Sequence, residues 1–264
     1  MPERIMAHLV AGYPDPEACL EAARGLLDGG CAYLEVQFPF SDPTADGPLI
    51  QEACDASLRA GFRLARGFEL LRKLHSLSPV PLFLMSYACP VVVRGVAGFL
   101  RQAREAGAAG LLVPDLPVDS DEGLYAQGRA LGLEVVPVIA PNITEMRLRV
   151  IERIGARYLY AALRPGITGQ YTELGTENLA FLRRLAGPGR RILAGFGVSS
   201  RAQVLALAPQ VHAVVVGSAF IQTIREVRGR GGGTGAVRRA LEARMQELAG
   251  PRKSGPDAYE GGGS

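Results

Sequence analysis

A recurring junction between helical and apolar segments constrains the fold of this chain more than any other feature. At each junction a helix-like stretch ends in Gly or Gly-Ala, and an apolar run follows within one or two residues, as after Gly30, Gly107, Gly132 and Gly155. A glycine just past the end of a helix and a short apolar run are the usual signs of a helix stop and a strand start. The pattern therefore predicts strands and helices in alternation.

Eight apolar segments qualify as strands: residues 6–11, 32–38, 80–85, 110–113, 133–139, 158–162, 192–194 and 211–216. Segments between them carry apolar residues at helical spacing, among them residues 16–28, 95–106, 122–131, 144–154 and 176–185. Eight strands alternating with helices are typical of a single (β/α)8 TIM barrel, an α/β fold of about 250 residues. We expect the barrel to span residues 1–250. Residues 251–264, rich in Gly, Pro and charge, are expected to form a disordered tail or an added linker.

The composition argues against several classes of protein. The 29 basic and 26 acidic residues give a net charge of +3, and the basic residues are scattered, so we expect no nucleic-acid partner. No apolar run approaches the roughly 18 residues of a membrane span, and the N-terminus lacks the pattern of a signal peptide. The four cysteines show no CxxC pairing and there are three histidines. We therefore expect free thiols, no metal site and a cytoplasmic location.

The second predicted strand carries a carboxylate in an apolar setting. Glu35 stands in the middle of residues 32–38, where an unpaired charge is costly to bury. Period-two alternation places Tyr33, Glu35 and Gln37 on the inward face of a barrel. Burial there is expected to raise the pKa of Glu35 and to let it act as an acid or base near neutral pH. The alternative is a structural glutamate held by a salt bridge.

The last three predicted strands end in glycines. Residues 164–169 follow the sixth strand, residues 195–199 the seventh, and Gly217-Ser218 the eighth, where a helix begins. Glycines there let backbone N–H groups approach an anion, and the helix N-terminus adds its dipole. Barrels commonly bind phosphate with the loops after strands seven and eight. The combination predicts a phosphate pocket, although any one of these glycines can equally be a plain turn residue.

Four motifs make residues 6–250 resemble the tryptophan synthase alpha subunit family. They are residues 11–15 (Ala-Gly-Tyr-Pro-Asp), Glu35 with the loop at residues 39–48, residues 164–169, and residues 195–199 with Gly217-Ser218. The resemblance implies a lyase of tryptophan biosynthesis that cleaves indole-3-glycerol phosphate to indole and glyceraldehyde 3-phosphate by a retro-aldol reaction. It also implies an α2β2 heterotetramer with a beta subunit, which carries pyridoxal phosphate (PLP), whereas the alpha chain has no cofactor.

The resemblance also assigns roles to individual residues. Glu35 matches the acid-base catalyst, and Asp46 matches the ionised carboxylate beside the indole nitrogen. Those roles call for opposite environments, a dry strand end for Glu35 and a hydrogen-bonded loop for Asp46. The remaining assignments are Tyr160, Phe196, Ile50, Leu112, Tyr87 and His8 for the indole pocket; Gly169, Gly197, Gly217 and Ser218 for phosphate; Thr168 and Arg164 for loop closure; and Asp42 and Pro43 for the partner interface.

Several positions depart from the family pattern. Gln37 stands where the family has glycine, and its amide can hydrogen-bond Glu35, shift its pKa or narrow the pocket. His8 replaces an aromatic residue, where it either hydrogen-bonds in the pocket or simply packs, and Cys89 replaces an asparagine. The N-terminal helix of the family is expected to be absent or very short. These departures leave two alternatives: a weakly active or non-catalytic subunit that activates the beta subunit, and a lyase acting on a related sugar phosphate.

Overall fold

The computed structural model describes residues 3–163, 175–195 and 197–250 of the 264-residue chain. In these ranges the strands are β1 (Ile5–Val10), β2 (Tyr33–Gln37), β3 (Leu82–Met85), β4 (Ala108–Leu112), β5 (Glu134–Val136), β6 (Val138–Ile139), β7 (Tyr158–Ala162), β8 (Arg191–Gly195) and β9 (Ala213–Val216). The α-helices are α1 (Pro16–Asp28), α2 (Pro48–Arg59), α3 (Leu64–Leu77), α4 (Ala88–Val93), α5 (Val96–Glu105), α6 (Leu124–Ala130), α7 (Glu145–Ile154), α8 (Thr176–Leu185), α9 (Arg201–Leu207), α10 (Ser218–Gly229) and α11 (Thr234–Ala249). A short 3-10 helix, Ala208–Gln210, follows α9. The proposed tail, residues 251–264, lies outside the described residues.

The strands form one parallel sheet in the order β5-β4-β3-β2-β1-β9-β8-β7-β6. The two end strands, β5 and β6, are halves of the single strand predicted at residues 133–139, and Pro137 separates them. Proline has no N–H to donate to a neighbouring strand, which accounts for the interruption. Because β5 pairs with β4 and β6 pairs with β7, this broken strand brings the two ends of the sheet together. The predicted TIM-barrel fold is confirmed.

The alternation predicted for β2 sorts its side chains between two cores. Tyr33 packs in the cluster inside the barrel with Met6 and Phe83. Leu34 and Val36 belong to the larger cluster between the sheet and the surrounding helices. The polar residues of β2 are therefore directed to the barrel interior, and Glu35 reaches it near the carboxyl ends of the strands. Active sites of this architecture form at that end.

Helices α1 and α11 pack so closely that one contact point accepts only glycine. A Cβ atom built on Gly25 of α1 would overlap the backbone carbonyl of Arg238 in α11. A Cβ atom on Gly98, in α5, would meet no atom within 4 Å. The two glycines sit in similar helices but differ in their surroundings, so they form a matched pair.

We predict that Gly25→Ala lowers the free energy of unfolding by about 1–3 kcal/mol, because the two helix backbones must move apart. Gly98→Ala is predicted to leave stability unchanged or to raise it by up to about 1 kcal/mol, since alanine favours the helix. Urea unfolding followed by circular dichroism measures both. Equal stability of the two variants would contradict the close packing of α1 on α11.

Candidate active site

A cavity opens at the carboxyl ends of the strands. Its described walls are His8, Glu35, Ala45, Asp46, Ile50, Met85, Leu112, Pro114, Val138, Tyr160, Gly197, Val198, Val215, Gly217 and Ser218. The cavity thus brings together residues from β1, β2, β4, β7 and the loops that precede α2 and α10. Most of its surface is apolar, which suits a planar aromatic ligand, while its ionisable groups converge from one side of the barrel.

Glu35 is held by its neighbour on the adjacent strand. His8 of β1 lies directly beside Glu35 of β2 in the parallel register. The His8 Nδ1–H donates a hydrogen bond of 2.9 Å to Glu35 Oε2. Glu35 is 3% exposed and His8 is 6% exposed. Glu35 therefore has a buried partner, although the sequence showed it alone in an apolar strand. This contact is compatible with both interpretations of Glu35, a structural ion pair and an acid-base group.

The charge of His8 follows from this contact. Burial on its own lowers the pKa of His8, but the hydrogen bond and negative charge of Glu35, together with the charge of Asp46, outweigh it and raise the pKa above the ordinary histidine value. The protonated imidazole is consequently favoured while both carboxylates are ionised. His8 balances part of their negative charge.

Asp46 is fixed by two donors, one from β2 and one from the N-cap of α4. The Gln37 amide Nε2 donates to Asp46 Oδ2 at 2.6 Å, and the Tyr87 hydroxyl donates to the same oxygen at 2.8 Å. The loop also closes on itself, since the Asp46 backbone N–H donates to the Pro43 carbonyl at 3.0 Å. Gln37 therefore contacts Asp46 rather than Glu35, the partner considered from the sequence.

The environments of the two carboxylates are more alike than the sequence indicates. Asp46, on the loop, is 3% exposed, the same as Glu35. Burial raises the pKa of Asp46, and so does the charge of Glu35, against the lowering effects of His8, Gln37 and Tyr87. The loop carboxylate is hydrogen-bonded as expected, but it is also dry. The side chain of Asp46 is covered in part by Gln37 of β2 and by Tyr87, which bind it.

Tyr87 packs against the loop and is not among the described walls of the cavity. It is fully buried, its ring stacks on Phe40 with centroids 5.4 Å apart, and its hydroxyl accepts from the Ala45 N–H at 3.1 Å while donating to Asp46. The sequence-based assignment of Tyr87 to the indole pocket stays a prediction, and the contacts described for its hydroxyl are with the loop. Ile50, Leu112, Tyr160 and His8 do line the cavity.

The N-terminus of α10 also borders the cavity. Gly217 is the N-cap of this 12-residue helix, and Ser218 is its first residue. Gly197 lies in the same wall with φ of +79°, a left-handed conformation that favours glycine. Unpaired N–H groups and the helix dipole make such an end favourable for an anion. Gly197, Gly217 and Ser218 are thus placed together where a phosphate group is expected.

The remaining predicted residues divide into two groups. Arg164, Thr168, Gly169 and Phe196 lie outside the described residues. Asp42 is exposed on the loop and accepts a hydrogen bond of 2.6 Å from the Ser41 hydroxyl, whereas Pro43 is buried. Neither borders the cavity as described, so both remain candidates for a partner surface.

Sequence reasoning missed six apolar walls: Ala45, Met85, Pro114, Val138, Val198 and Val215. A signal was present for two of them: Met85 and Val215 occupy inward positions that alternate with core residues on β3 and β9. Val138 follows the break at Pro137, and that break was not apparent from the apolar pattern. Within the described ranges no group of three His, Cys, Asp or Glu residues is arranged to hold a metal ion, and no helix has the length and hydropathy to cross a membrane.

Comparison with known sequences identifies relatives along almost the whole chain. The family described as Tryptophan synthase alpha chain matches residues 3–250. The tryptophan synthase alpha chain of Helicobacter hepaticus is 38% identical over 231 residues, which cover 85% of this chain and 86% of that protein. The protein of the same name from Methanosarcina barkeri is 37% identical over 245 residues, covering 92% of this chain and 89% of the relative.

Comparison with solved structures agrees. A chain in the crystal structure of the tryptophan synthase complex from Pyrococcus furiosus has a TM-score of 0.83 and 32% identity, and the match covers 95% of this chain and 100% of that one. A structure of the α2β2 complex from the same organism, described in terms of mutual activation, matches with the same values. On the strength of the family match over residues 3–250, this chain belongs to the tryptophan synthase alpha chain family.

Proposed function

We infer that this chain cleaves indole-3-glycerol phosphate to indole and glyceraldehyde 3-phosphate in tryptophan biosynthesis, as the alpha subunit of a tryptophan synthase. The observation that carries this function is the pair of carboxylates, Glu35 and Asp46, on one largely apolar cavity that ends at the N-terminus of α10. The cavity offers apolar walls for an aromatic ring, two carboxylates and a helix N-terminus for an anion. Those are the three parts of the substrate.

Glu35 is the acid-base catalyst in this proposal. Breaking the bond between the indole ring and the glycerol chain requires a proton at C3 of the ring and removal of the proton from the adjacent hydroxyl. Glu35 protonated on Oε1, with Oε2 still accepting from His8, gives its proton to C3, and the resulting carboxylate takes the hydroxyl proton. The electrons of the O–H bond form the aldehyde C=O, and those of the breaking C–C bond return to the ring. Glu35 ends the cycle protonated, as it began.

Asp46 stabilises the charge that this first proton creates. Protonation at C3 places positive charge on the indole nitrogen, and an ionised carboxylate beside that N–H lowers the energy of the transition state more than that of the ground state. Both donors to Asp46 bind Oδ2, so Oδ1 is the oxygen we assign to the indole N–H. Gln37 and Tyr87 hold the carboxylate in place before the substrate arrives.

The apolar walls Ile50, Leu112 and Tyr160 are proposed to hold the indole ring. Gly197, Gly217 and Ser218 are proposed to bind the phosphate through backbone N–H groups and the helix dipole. Closure over the substrate by Arg164 and Thr168, a phosphate contact at Gly169 and a ring contact at Phe196 complete the assignment. Asp42 and Pro43 would meet the beta subunit.

No step of this scheme uses a cofactor in the alpha chain. Acid-base chemistry at one carboxylate and charge stabilisation at another are sufficient for a retro-aldol cleavage of this substrate. We therefore propose that PLP is confined to the beta partner of the α2β2 assembly. A cytoplasmic location is part of the same proposal.

The direct test is indole release from indole-3-glycerol phosphate by the purified chain, alone and with a beta subunit from the same source. We expect turnover that rises when the partner is added. Absence of turnover in both cases, with glycerol 3-phosphate still bound, would instead favour a non-catalytic subunit that activates its partner. Cleavage of a different sugar phosphate at a higher rate would point to the related lyase.

Glu35→Gln is predicted to lower kcat by about 10²–10⁴-fold, the usual contribution of one general acid-base group. The dissociation constant of glycerol 3-phosphate should change far less than kcat, because the backbone N–H groups proposed to bind the phosphate are intact. Steady-state indole formation and calorimetric titration measure the two quantities. Glu69→Gln, on the exposed side of α3, is the matched control and should behave as the wild type. Full activity in folded Glu35→Gln would refute the role of Glu35.

Asp46→Asn is predicted to lower kcat by about 10²–10³-fold while stabilising the folded protein at neutral pH. The reason lies in the raised pKa of Asp46. Between the ordinary aspartate pKa and the raised value, the folded state binds a proton that the unfolded state does not, so stability falls as the pH rises through this window. The Asp46→Asn variant does not lose stability in this way, because asparagine does not titrate.

Urea unfolding at a series of pH values tests this linkage. The stability advantage of Asp46→Asn should be present at neutral pH and should shrink as the pH falls toward the ordinary aspartate pKa of about 4. A stability advantage independent of pH, or a variant less stable than the wild type at neutral pH, would contradict the claim that burying the Asp46 charge lowers the stability of the folded protein.

A further inference from the structure

One ring nitrogen of His8 is buried without a hydrogen-bond partner. His8 Nδ1 is bonded to Glu35, but His8 Nε2 has no hydrogen-bond partner within the part of the chain that the structure describes, and solvent does not reach it. An unsatisfied buried polar atom costs about 1–3 kcal/mol, so such atoms are uncommon in folded proteins. Since His8 lines the cavity, a ligand bound there can supply the missing contact.

The position of the His8 ring indicates which part of a ligand would contact Nε2. A Cβ atom placed on Gly217 would lie 3.3 Å from His8 Cδ2, the carbon bonded to Nε2, and 3.4 Å from His8 Cβ and Cγ. The imidazole therefore packs against the N-cap of α10, with Glu35 at Nδ1. The ring carbon bonded to the free nitrogen therefore faces the N-cap of α10, where the phosphate is proposed to bind.

The charges around His8 favour an oxygen ligand at Nε2. The groups that act on it are Glu35 from β2 and Asp46 from the loop before α2, and both raise its pKa against the effect of burial. His8 is also the one basic side chain among the described cavity walls. Protonated His8 has an Nε2–H to donate, and a phosphate ester brings negative charge to a cavity that already holds two carboxylates.

We propose that His8 is a positioning residue for the cleavage, whose Nδ1–H orients the Glu35 carboxylate and whose Nε2–H binds an oxygen of the glycerol phosphate chain of the substrate. One imidazole then links the base to the part of the substrate from which the base takes a proton. This proposal rests on the function proposed above, and it adds a residue that the reaction scheme itself does not require.

Two substitutions separate the two hydrogen bonds. His8→Phe keeps an aromatic ring in β1 but removes both donors, whereas His8→Asn keeps an amide near the position of Nδ1 and lacks any group at Nε2. We expect His8→Phe to lower kcat and to raise KM, each by about 10- to 100-fold, the loss typical of one charged hydrogen bond. His8→Asn should recover most of kcat and leave KM raised. This split distinguishes positioning from packing.

A binding measurement on the wild-type protein does not require the His8 variants to fold. In nitrogen-detected NMR, glycerol 3-phosphate should shift the Nε2 resonance of His8 toward the protonated, hydrogen-bonded position, and Glu35→Gln should lower the pKa of His8. Inorganic phosphate is the second probe: an equal shift assigns the contact to a phosphate oxygen, and a shift seen only with glycerol 3-phosphate assigns it to a hydroxyl. His212, whose pKa is lowered to about 4 by burial and by Arg191, Arg4 and Arg157, is the internal control.

The proposal is overturned if glycerol 3-phosphate leaves the His8 resonances unchanged, or if His8→Phe and His8→Asn both retain wild-type kcat, KM and pH profile. Should the His8 variants fail to fold, the NMR result on the wild type decides. Failure of the wild type to release indole contradicts the proposed function, whereas a missing NMR response with normal turnover contradicts the role of His8 alone.

Discussion

Two carboxylates and one imidazole line a single cavity, and the surrounding hydrogen bonds offset the repulsion between the two buried negative charges. Glu35 and Asp46 are equally buried, and in an apolar cavity their charges repel. The hydrogen bond from His8 offsets this for Glu35, and donors from Gln37 and Tyr87 offset it for Asp46. Parallel pairing of β1 with β2 in one register is what sets His8 beside Glu35. A shift of one residue would point the two side chains to opposite faces.

Tyr87 holds the loop that carries Asp46 in place. Tyr87, the N-cap of α4, contacts both the carboxylate and the backbone of Ala45, and its ring stacks on Phe40. The loop therefore has a defined shape within this chain, with Gln37 of β2 as its second support. Catalytic charge that is held before the substrate binds does not have to be reorganised during the reaction, and this is the main source of electrostatic catalysis.

The sequence predicts the parts of this site that depend on local pattern. Alternation in β2 directs Glu35 inward, and the glycines after the late strands indicate the anion site that we propose. Contacts between distant segments leave no local trace, so the hydrogen bonds from Tyr87 and Gln37 to Asp46 and the burial of Asp46 were not predicted. The break at Pro137 was also missed, because residues 133–139 read as one apolar run. The His8–Glu35 contact requires the strand register, which the hydrophobic pattern of neither strand specifies.

The central claim is that Glu35 and Asp46 act as one unit, with Asp46 stabilising a charge that exists only after Glu35 has protonated the ring. A double-mutant cycle on the single-turnover rate of indole release tests this most directly, using Glu35→Gln, Asp46→Asn and the combined variant. Groups that act in one step give losses far from additive in free energy. We predict that the combined variant loses little more activity than Glu35→Gln alone. Losses that multiply in full would show that the two carboxylates contribute independently and would contradict this account.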